Sequence, residues 1–282
     1  MRAFATVVSG NASLSTEVVG SGHPVVFLHA NVCDKRMWRA QLDAIGVAHQ
    51  AIAYDRRGFG HTRSDEEGYS AISDLFAVIE ATAGDTPVVL VGCSQGARIA
   101  LDAAFMHPSR IVGLVLISPT VSGAPDAVYS PQLLELIEHQ KNVEASGDAD
   151  ELNALKARLF LDGPLAESGR VAGDSRRLFL DMNAIALRSS SRRATDRDAG
   201  NAFSRLADLR IPCQVIWGTF DFPHIQERAR MVAQMVSKGR GHEIAGAAHL
   251  PSLEQPEVVN DLILDLAKRS FACPAERREL QR

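Results

Sequence analysis

The sequence predicts an α/β fold: a mostly parallel eight-stranded sheet with helices on both faces, interrupted by a helical insertion. Three observations predict it. Short runs rich in Val and Ile alternate with helical patterns through most of the chain, and strands joined by helices align in parallel. The run Val88-Val89-Leu90-Val91-Gly92-Cys93-Ser94-Gln95-Gly96-Ala97 passes from an apolar strand through a small-residue turn straight into an Ala-rich helix. The alternation then fails between 120 and 208, where helical patterns occur without a convincing strand. With 282 residues and 46% apolar content, the chain can bury a large core without disulfides or metals.

The elements follow in order. Strands at 3–8 and 13–19 are expected as an antiparallel edge pair. Val25-Val26-Phe27-Leu28 is apolar throughout, as a strand covered on both faces requires. A helix over 35–45 carries Trp38 and Leu42 four residues apart. Further strands are expected at 50–54, 88–91, 111–118, 214–217 and 241–244, and further helices at 71–83, 95–105, 225–236 and 257–268. In the helix at 225–236, Ile225, Ala229, Val232 and Val236 form a one-face core stripe. These bounds give a core domain in two parts (1–119 and 209–270), a helical cap (120–208) and a charged, frayed tail (271–282).

Within the insertion, Leu152, Leu155 and Leu159, then Leu178, Met182 and Ile185, recur at helical spacing. The insertion leaves the sheet at the strands' C-terminal ends, where open α/β sheets bind ligands. Phe160, Phe179, Met182 and Leu187 are therefore candidate pocket-lining residues, with packing inside the cap as the competing role for each.

Composition narrows the partners. A net charge of −4 and a pI near 6.1 offer no general basic surface for nucleic acid. The most basic stretch, Arg188-Ser189-Ser190-Ser191-Arg192-Arg193, is short and closely followed by Asp196 and Asp198, which suits a solvated helix end or loop. Cys33, Cys93, Cys213 and Cys273 are widely spaced, with neither a C-x-x-C pair nor a metal-ligand rhythm. Residues 1–10 hold one basic residue and a short apolar run, a poor signal peptide, and no stretch has the length of a membrane span. A cytoplasmic protein acting on a small molecule, with no metal, cofactor, nucleic acid or membrane partner, is expected. The oligomeric state is not legible.

The chemistry centres on Gly92-Cys93-Ser94-Gln95-Gly96. Gly-x-Ser-x-Gly alone is common in tight turns, but a strand before it and a helix after it make a nucleophile elbow. The positions two before and two after the serine must be small, because strand and helix nearly touch there. A serine hydroxyl near neutrality needs a histidine to take its proton and a carboxylate to orient that histidine. Behind such an elbow the chain order is serine, acid, histidine. Asp221 follows the strand at 214–217, and His249 lies in the small-residue turn Gly246-Ala247-Ala248-His249-Leu250-Pro251.

Each residue has a bland alternative. A lone Asp after a strand is usually a turn former, and one of nine histidines falling downstream is unremarkable. The conjunction of three loops in one order decides for the triad Ser94, Asp221 and His249. His224, the main competitor for the base, lies only three residues after Asp221, too close for the usual division of roles, and His242, expected within the last strand, is the next choice. The oxyanion needs two aligned N–H donors, assigned here to the backbone of Gln95 and of Asn31, in the loop after the strand at 25–28. His29 in that loop is read as a buried hydrogen-bonding residue.

These motifs resemble the α/β-hydrolase superfamily over roughly residues 10 to 270. Gly-Cys-Ser-Gln-Gly-Ala around Ser94 resembles its nucleophile elbow, His29-Ala30-Asn31 its oxyanion loop, and Asp55-Arg56-Arg57-Gly58-Phe59-Gly60 the turn after its next strand. Trp217-Gly218-Thr219-Phe220-Asp221 resembles its acid loop, and Gly246-Ala247-Ala248-His249 its base loop. Ala30 stands where the family usually has Gly, and Ala97 replaces a second Gly after the elbow. The nearest group comprises enol-lactonases, small esterases and cofactor-free haloperoxidases. The resemblance implies a serine hydrolase of a small ester or lactone. The same residues suit carbon–carbon cleavage of a vinylogous diketone or acyl transfer to another nucleophile. A non-catalytic ligand-binding protein on this fold is the alternative from a different class. Ser94 in place of an aspartate argues against dehalogenase and epoxide-hydrolase chemistry through an alkyl-enzyme ester.

Overall fold

The computed structural model of the protein describes residues 1–189, 195–198 and 200–272. Eight strands, β1 (Arg2–Ser9), β2 (Ala12–Val19), β3 (Pro24–Leu28), β4 (Gln50–Tyr54), β5 (Val88–Cys93), β6 (Ile111–Ile117), β7 (Cys213–Gly218) and β8 (Gly239–Ile244), make one sheet. Its order is β1-β2-β4-β3-β5-β6-β7-β8. β2 pairs antiparallel with β1 and β4, and the remaining pairs are parallel.

The helices are α1 (Arg39–Ile45), α2 (Ala71–Ala83), α3 (Gln95–Met106), α4 (Pro131–Ser146), α5 (Ala149–Lys156), α6 (Gly173–Arg188), α7 (Pro223–Met235), α8 (Pro251–Glu254) and α9 (Pro256–Phe271). Ser70 caps α2 by accepting the Ser73 N–H, and Asp148 caps α5 by accepting those of Asp150 and Glu151. Gly147 ends α4 in the left-handed conformation that its missing Cβ allows.

The alternation of side chains along β3 builds the core on both faces. Val25 and Phe27 pack in one buried cluster with Leu42 and Ile45 of α1 and Ile263 and Leu266 of α9. Val26 and Leu28 pack in the other with Leu75 of α2, Ile99 of α3 and Val232 of α7. Each such side chain, fully withdrawn from water, contributes about 1.5–3 kcal/mol. A strand with both faces covered has no room for polar alternation, hence the unbroken apolar run.

Several boundaries differ from expectation: α9 runs from Pro256 to Phe271 rather than ending at 268, so the tail expected from 271 begins inside this helix. The helix expected over 35–45 begins as a 3-10 turn, Lys35–Trp38. Lys35 is drawn inward, its N–H and Nζ donating to Asp55 Oδ1 and Oδ2 at 2.8 and 2.7 Å. β8 starts at Gly239 rather than 241, because its pairing with β7 (Cys213 opposite Gly239) defines it and not an apolar run of its own.

Between β6 and β7 the described residues form helices and no strand of the sheet. α5 continues into a π-helical turn, Ala157–Asp162, and Phe203–Asp208 forms a 3-10 turn before β7. Arg188 ends α6, while 190–193 of the basic stretch lie outside the described residues. So do residues 273–282, Cys273 among them. Cys33, Cys93 and Cys213 are buried free thiols, all pushed upward in pKa chiefly by burial. Among the described residues, no helix is long and apolar enough to cross a membrane.

Candidate active site

The elbow forms where β5, buried along its whole length, meets α3. Ser94 takes φ 55° and ψ −115°, a conformation that L-residues rarely adopt. Its N–H donates to Ile117 O (2.8 Å), and its carbonyl accepts from Ala97 N–H (3.0 Å) and the Thr120 hydroxyl (3.1 Å). These bonds hold the strained turn against β6. The need for small flanking residues is measurable. A Cβ on Gly92 would lie 2.4 Å from Gly96 O and 2.6 Å from Ala97 Cα, and one on Gly96 would lie 2.2 Å from Leu28 O.

β7 and β8 carry two adjacent loops that meet. Thr219 N–H donates to Ile244 O (3.1 Å), Phe220 N–H to Ala247 O (2.9 Å) and Gly246 N–H to Thr219 Oγ1 (2.9 Å). The meeting brings His249 Nδ1 to 2.8 Å from Asp221 Oδ1, with both side chains almost fully buried. Asp221 Oδ1 also accepts the Phe222 N–H at 2.7 Å. Its Oδ2 is buried and accepts no hydrogen bond among the described residues. A proton on Nδ1, held by the carboxylate, leaves Nε2 as the basic nitrogen of His249. Phe160 presents its ring edge-on to the imidazole at 5.2 Å, and Phe222 does so at 6.3 Å.

Ser94 and His249 line one cavity of about 440 Å³ together with Asn31 and Gln95, so the sequence-derived serine, base and oxyanion positions converge there. The His249–Asp221 contact is closed, whereas no hydrogen bond joins Ser94 to His249. Catalytic contacts are often loose before substrate arrives. Gln95 is the first residue of α3, where the helix leaves its N–H without an intrahelical partner. Ala30 is fully buried and lies outside the positive-φ region, so it serves this loop without strain.

The other histidines separate clearly. His29 is fully buried, accepts the Arg56 N–H at Nε2 (3.0 Å) and places Nδ1 2.8 Å from Ala30 O. Both nitrogens are thus used in fixing the loop, and burial, then the Arg56 charge, hold its pKa well below the ordinary value. His224 is the second residue of α7, packs edge-on against Tyr129, and is pushed down to about 4 by burial. His242 lies in β8.

The rest of the lining differs from the sequence-derived set. Phe160 is in the cavity wall. Phe179 and Met182 are fully buried and absent from the cavity wall: α6 turns them into the cluster shared by α1 and α9. Leu187, half-buried near the end of α6, is not in the wall either. Their helical stripe fixes a common face but not what that face covers. Polar residues take their place: Arg98, Thr120, Gln140 and Lys156. Arg98 is open to inference, four residues after Ser94 in the first turn of α3. Its guanidinium is tied to Asp196 (2.5 Å) and Asp102 (3.3 Å). Gln140 and Lys156 come from the insertion and carry no sequence signal for the site. Among the described residues, no cluster of three or more His, Cys, Asp or Glu is arranged to hold a metal.

A family model described as the alpha/beta hydrolase family matches residues 25–262. The chain belongs to that family. It is 24% identical over 260 residues to a pimeloyl-[acyl-carrier protein] methyl ester esterase of Yersinia enterocolitica, covering 87% of this chain and 93% of the relative. Its fold is similar to that of a bromoperoxidase from Bacillus anthracis, with TM-score 0.77 and 22% identity over 95% of this chain and all of the other. An enol-lactonase from Burkholderia xenovorans LB400 has the same fold, with TM-score 0.67 and 19% identity over 94% of this chain and 100% of that one. The expected group of α/β-hydrolases is therefore the right one.

Proposed function

We propose that this α/β-hydrolase cleaves a small carboxylic ester or lactone through an acyl-enzyme on Ser94. One observation carries the proposal: Ser94, strained at the elbow, shares a cavity with His249, whose Nδ1 is bound to buried Asp221. His249 Nε2 takes the Ser94 proton as Oγ attacks the carbonyl carbon. The N–H groups of Asn31 and Gln95 hold the resulting oxyanion, each contributing about a hundred- to thousandfold in turnover. His249 then gives the proton to the departing alkoxide, and Oγ is left acylated. Water, deprotonated by His249, attacks the acyl group and restores the serine. A lactone differs only in that its leaving group stays tethered.

The segment 120–208 acts as a cap: Gln140, Lys156 and Phe160 enter the cavity from it. A cavity of about 440 Å³ favours a short acyl group over a long alkyl chain. The Yersinia relative is a methyl ester esterase, and the chain shares its fold with an enol-lactonase, which supports this bond type without fixing the substrate. The test is hydrolysis of p-nitrophenyl esters of increasing acyl length and of simple lactones, beside Ser94→Ala. Turnover lost in Ser94→Ala supports the proposal; turnover that survives the substitution removes it.

A further inference from the structure

Behind the cavity, a single guanidinium joins three parts of the protein that meet at His249. Arg170 lies in the loop between the π-helical turn and α6. Its Nε donates to Asp162 O (2.8 Å) and its Nη2 to Leu161 O (2.8 Å), two carbonyls at the end of that turn. Helix-end carbonyls have no intrahelical donor, so this pairing satisfies groups otherwise left without one. The same guanidinium reaches the base loop through Nη1 to Gly246 O (2.6 Å) and pairs with Glu254 Oε2 through Nη2 (2.5 Å). Its plane also lies 5.0 Å from the ring centre of Phe220, on the acid loop.

Glu254 completes the connection. Its side chain is 3% exposed, and its Oε1 accepts the N–H of Ala248, the residue immediately before His249, at 2.8 Å. The loop carrying Arg170 is itself fixed on either side. Asp162 accepts the N–H groups of Gly169 (2.8 Å) and Val171 (3.1 Å) and pairs with Arg176 (2.9 Å). Backbone meets backbone nearby, since a Cβ on Gly163 would lie 2.4 Å from Phe220 O. The π-helical turn held this way carries Phe160, whose ring edge faces the imidazole. Such turns are rare and are found disproportionately at functional sites.

We propose that Arg170 and Glu254 are positioning residues that lock the π-helical turn, the acid loop and the base loop together, and so set His249 against Asp221 and Phe160. The inference rests on His249 being the base of the proposed hydrolase. Four donors of one planar fork act in fixed directions, which a lysine ammonium cannot reproduce. Small errors in the placement of a base are costly: a shift near 1 Å costs on the order of a hundredfold.

The test compares wild type, Arg170→Gln, Arg170→Lys, Glu254→Gln and Ser94→Ala in the full chain. Two readouts are kcat and KM on the best ester at a temperature well below the unfolding transition. The third is the low-field proton resonance of the imidazole N–H held by Asp221, assigned by its loss in His249→Gln. Arg170→Gln is expected to lower kcat about ten- to a hundredfold with KM changed less than threefold, and to shift or broaden that resonance. Arg170→Lys is expected not to restore either. Glu254→Gln keeps an oxygen for Ala248 N–H but sets an amide against Arg170, so it should fall between, and it serves as the test if Arg170→Gln does not fold. Folded variants with kcat within twofold of wild type and an unmoved resonance would overturn the assignment, even if their melting temperatures drop. If Ser94→Ala retains turnover, the hydrolase proposal fails separately, and the resonance alone still decides whether Arg170 and Glu254 hold His249.

Discussion

Gly218→Ala tests how the acid and base loops are brought together. Gly218 is the last residue of β7, and a Cβ there would lie 2.2 Å from Ala247 O and 2.3 Å from Ala248 O. Real Cβ contacts stay above 3.0 Å, so the base loop must retreat by about 0.8 Å, the difference between 3.0 and 2.2. Taken along the His249–Asp221 line, that retreat stretches the 2.8 Å contact to about 3.6 Å, past hydrogen-bond range. The expected result is a fall in kcat of about a hundredfold, with a stability cost of about 1–3 kcal/mol for the extra methyl in a packed site. Steady-state kinetics on a p-nitrophenyl ester and urea unfolding read the two effects. A folded Gly218→Ala protein with kcat within threefold of wild type would show that this close approach does not set the catalytic geometry.

Three further substitutions probe separate parts. Asp221→Asn should lower kcat about ten-thousandfold while leaving the fold intact, because the amide no longer holds Nδ1 as a donor; a loss under tenfold in steady-state assays argues against Asp221 as the orienting acid. His29 is buried with its pKa well below the ordinary 6.5, so below about pH 6.5 the unfolded chain takes up a proton that the folded state refuses. Stability therefore falls as pH drops, by about 1.4 kcal/mol per pH unit for this group, and His29→Gln should flatten the difference between urea unfolding at pH 5 and pH 7. Equal pH dependence in both proteins would count against the buried neutral imidazole. Lys35→Met leaves Asp55 buried without its cation and should cost about 3–5 kcal/mol in denaturant unfolding; a cost under 1 kcal/mol contradicts the pairing's role in holding the turn after β3.

The sheet and the site were legible to different depths, for physical reasons. A strand covered on both faces must be apolar throughout, so β3 and β5 announce themselves as continuous runs. The elbow is visible because its geometry admits only small residues at 92 and 96, a constraint that must appear in the sequence. Asp221 and His249, the proposed acid and base, follow from chain order once the elbow is found. The cavity wall is a different matter. Phe179 and Met182 look the same in sequence whether α6 turns them to the cavity or to the core beside α1 and α9, and it turns them to the core. Gln140 and Lys156 reach the cavity only through the packing of α4 and α5, and no local pattern encodes it. The π-helical turn and the Arg170–Glu254 pair are likewise tertiary, joining residues 84 positions apart.

The central claim is a covalent acyl group on Ser94, and intact-protein mass spectrometry during turnover of a slowly deacylating p-nitrophenyl ester tests it most directly. The account predicts a mass increase equal to one acyl group, mapped by peptide analysis to Ser94 and missing in Ser94→Ala. Continued hydrolysis with no adduct on Ser94, or an adduct on another residue whose formation survives Ser94→Ala, would contradict it.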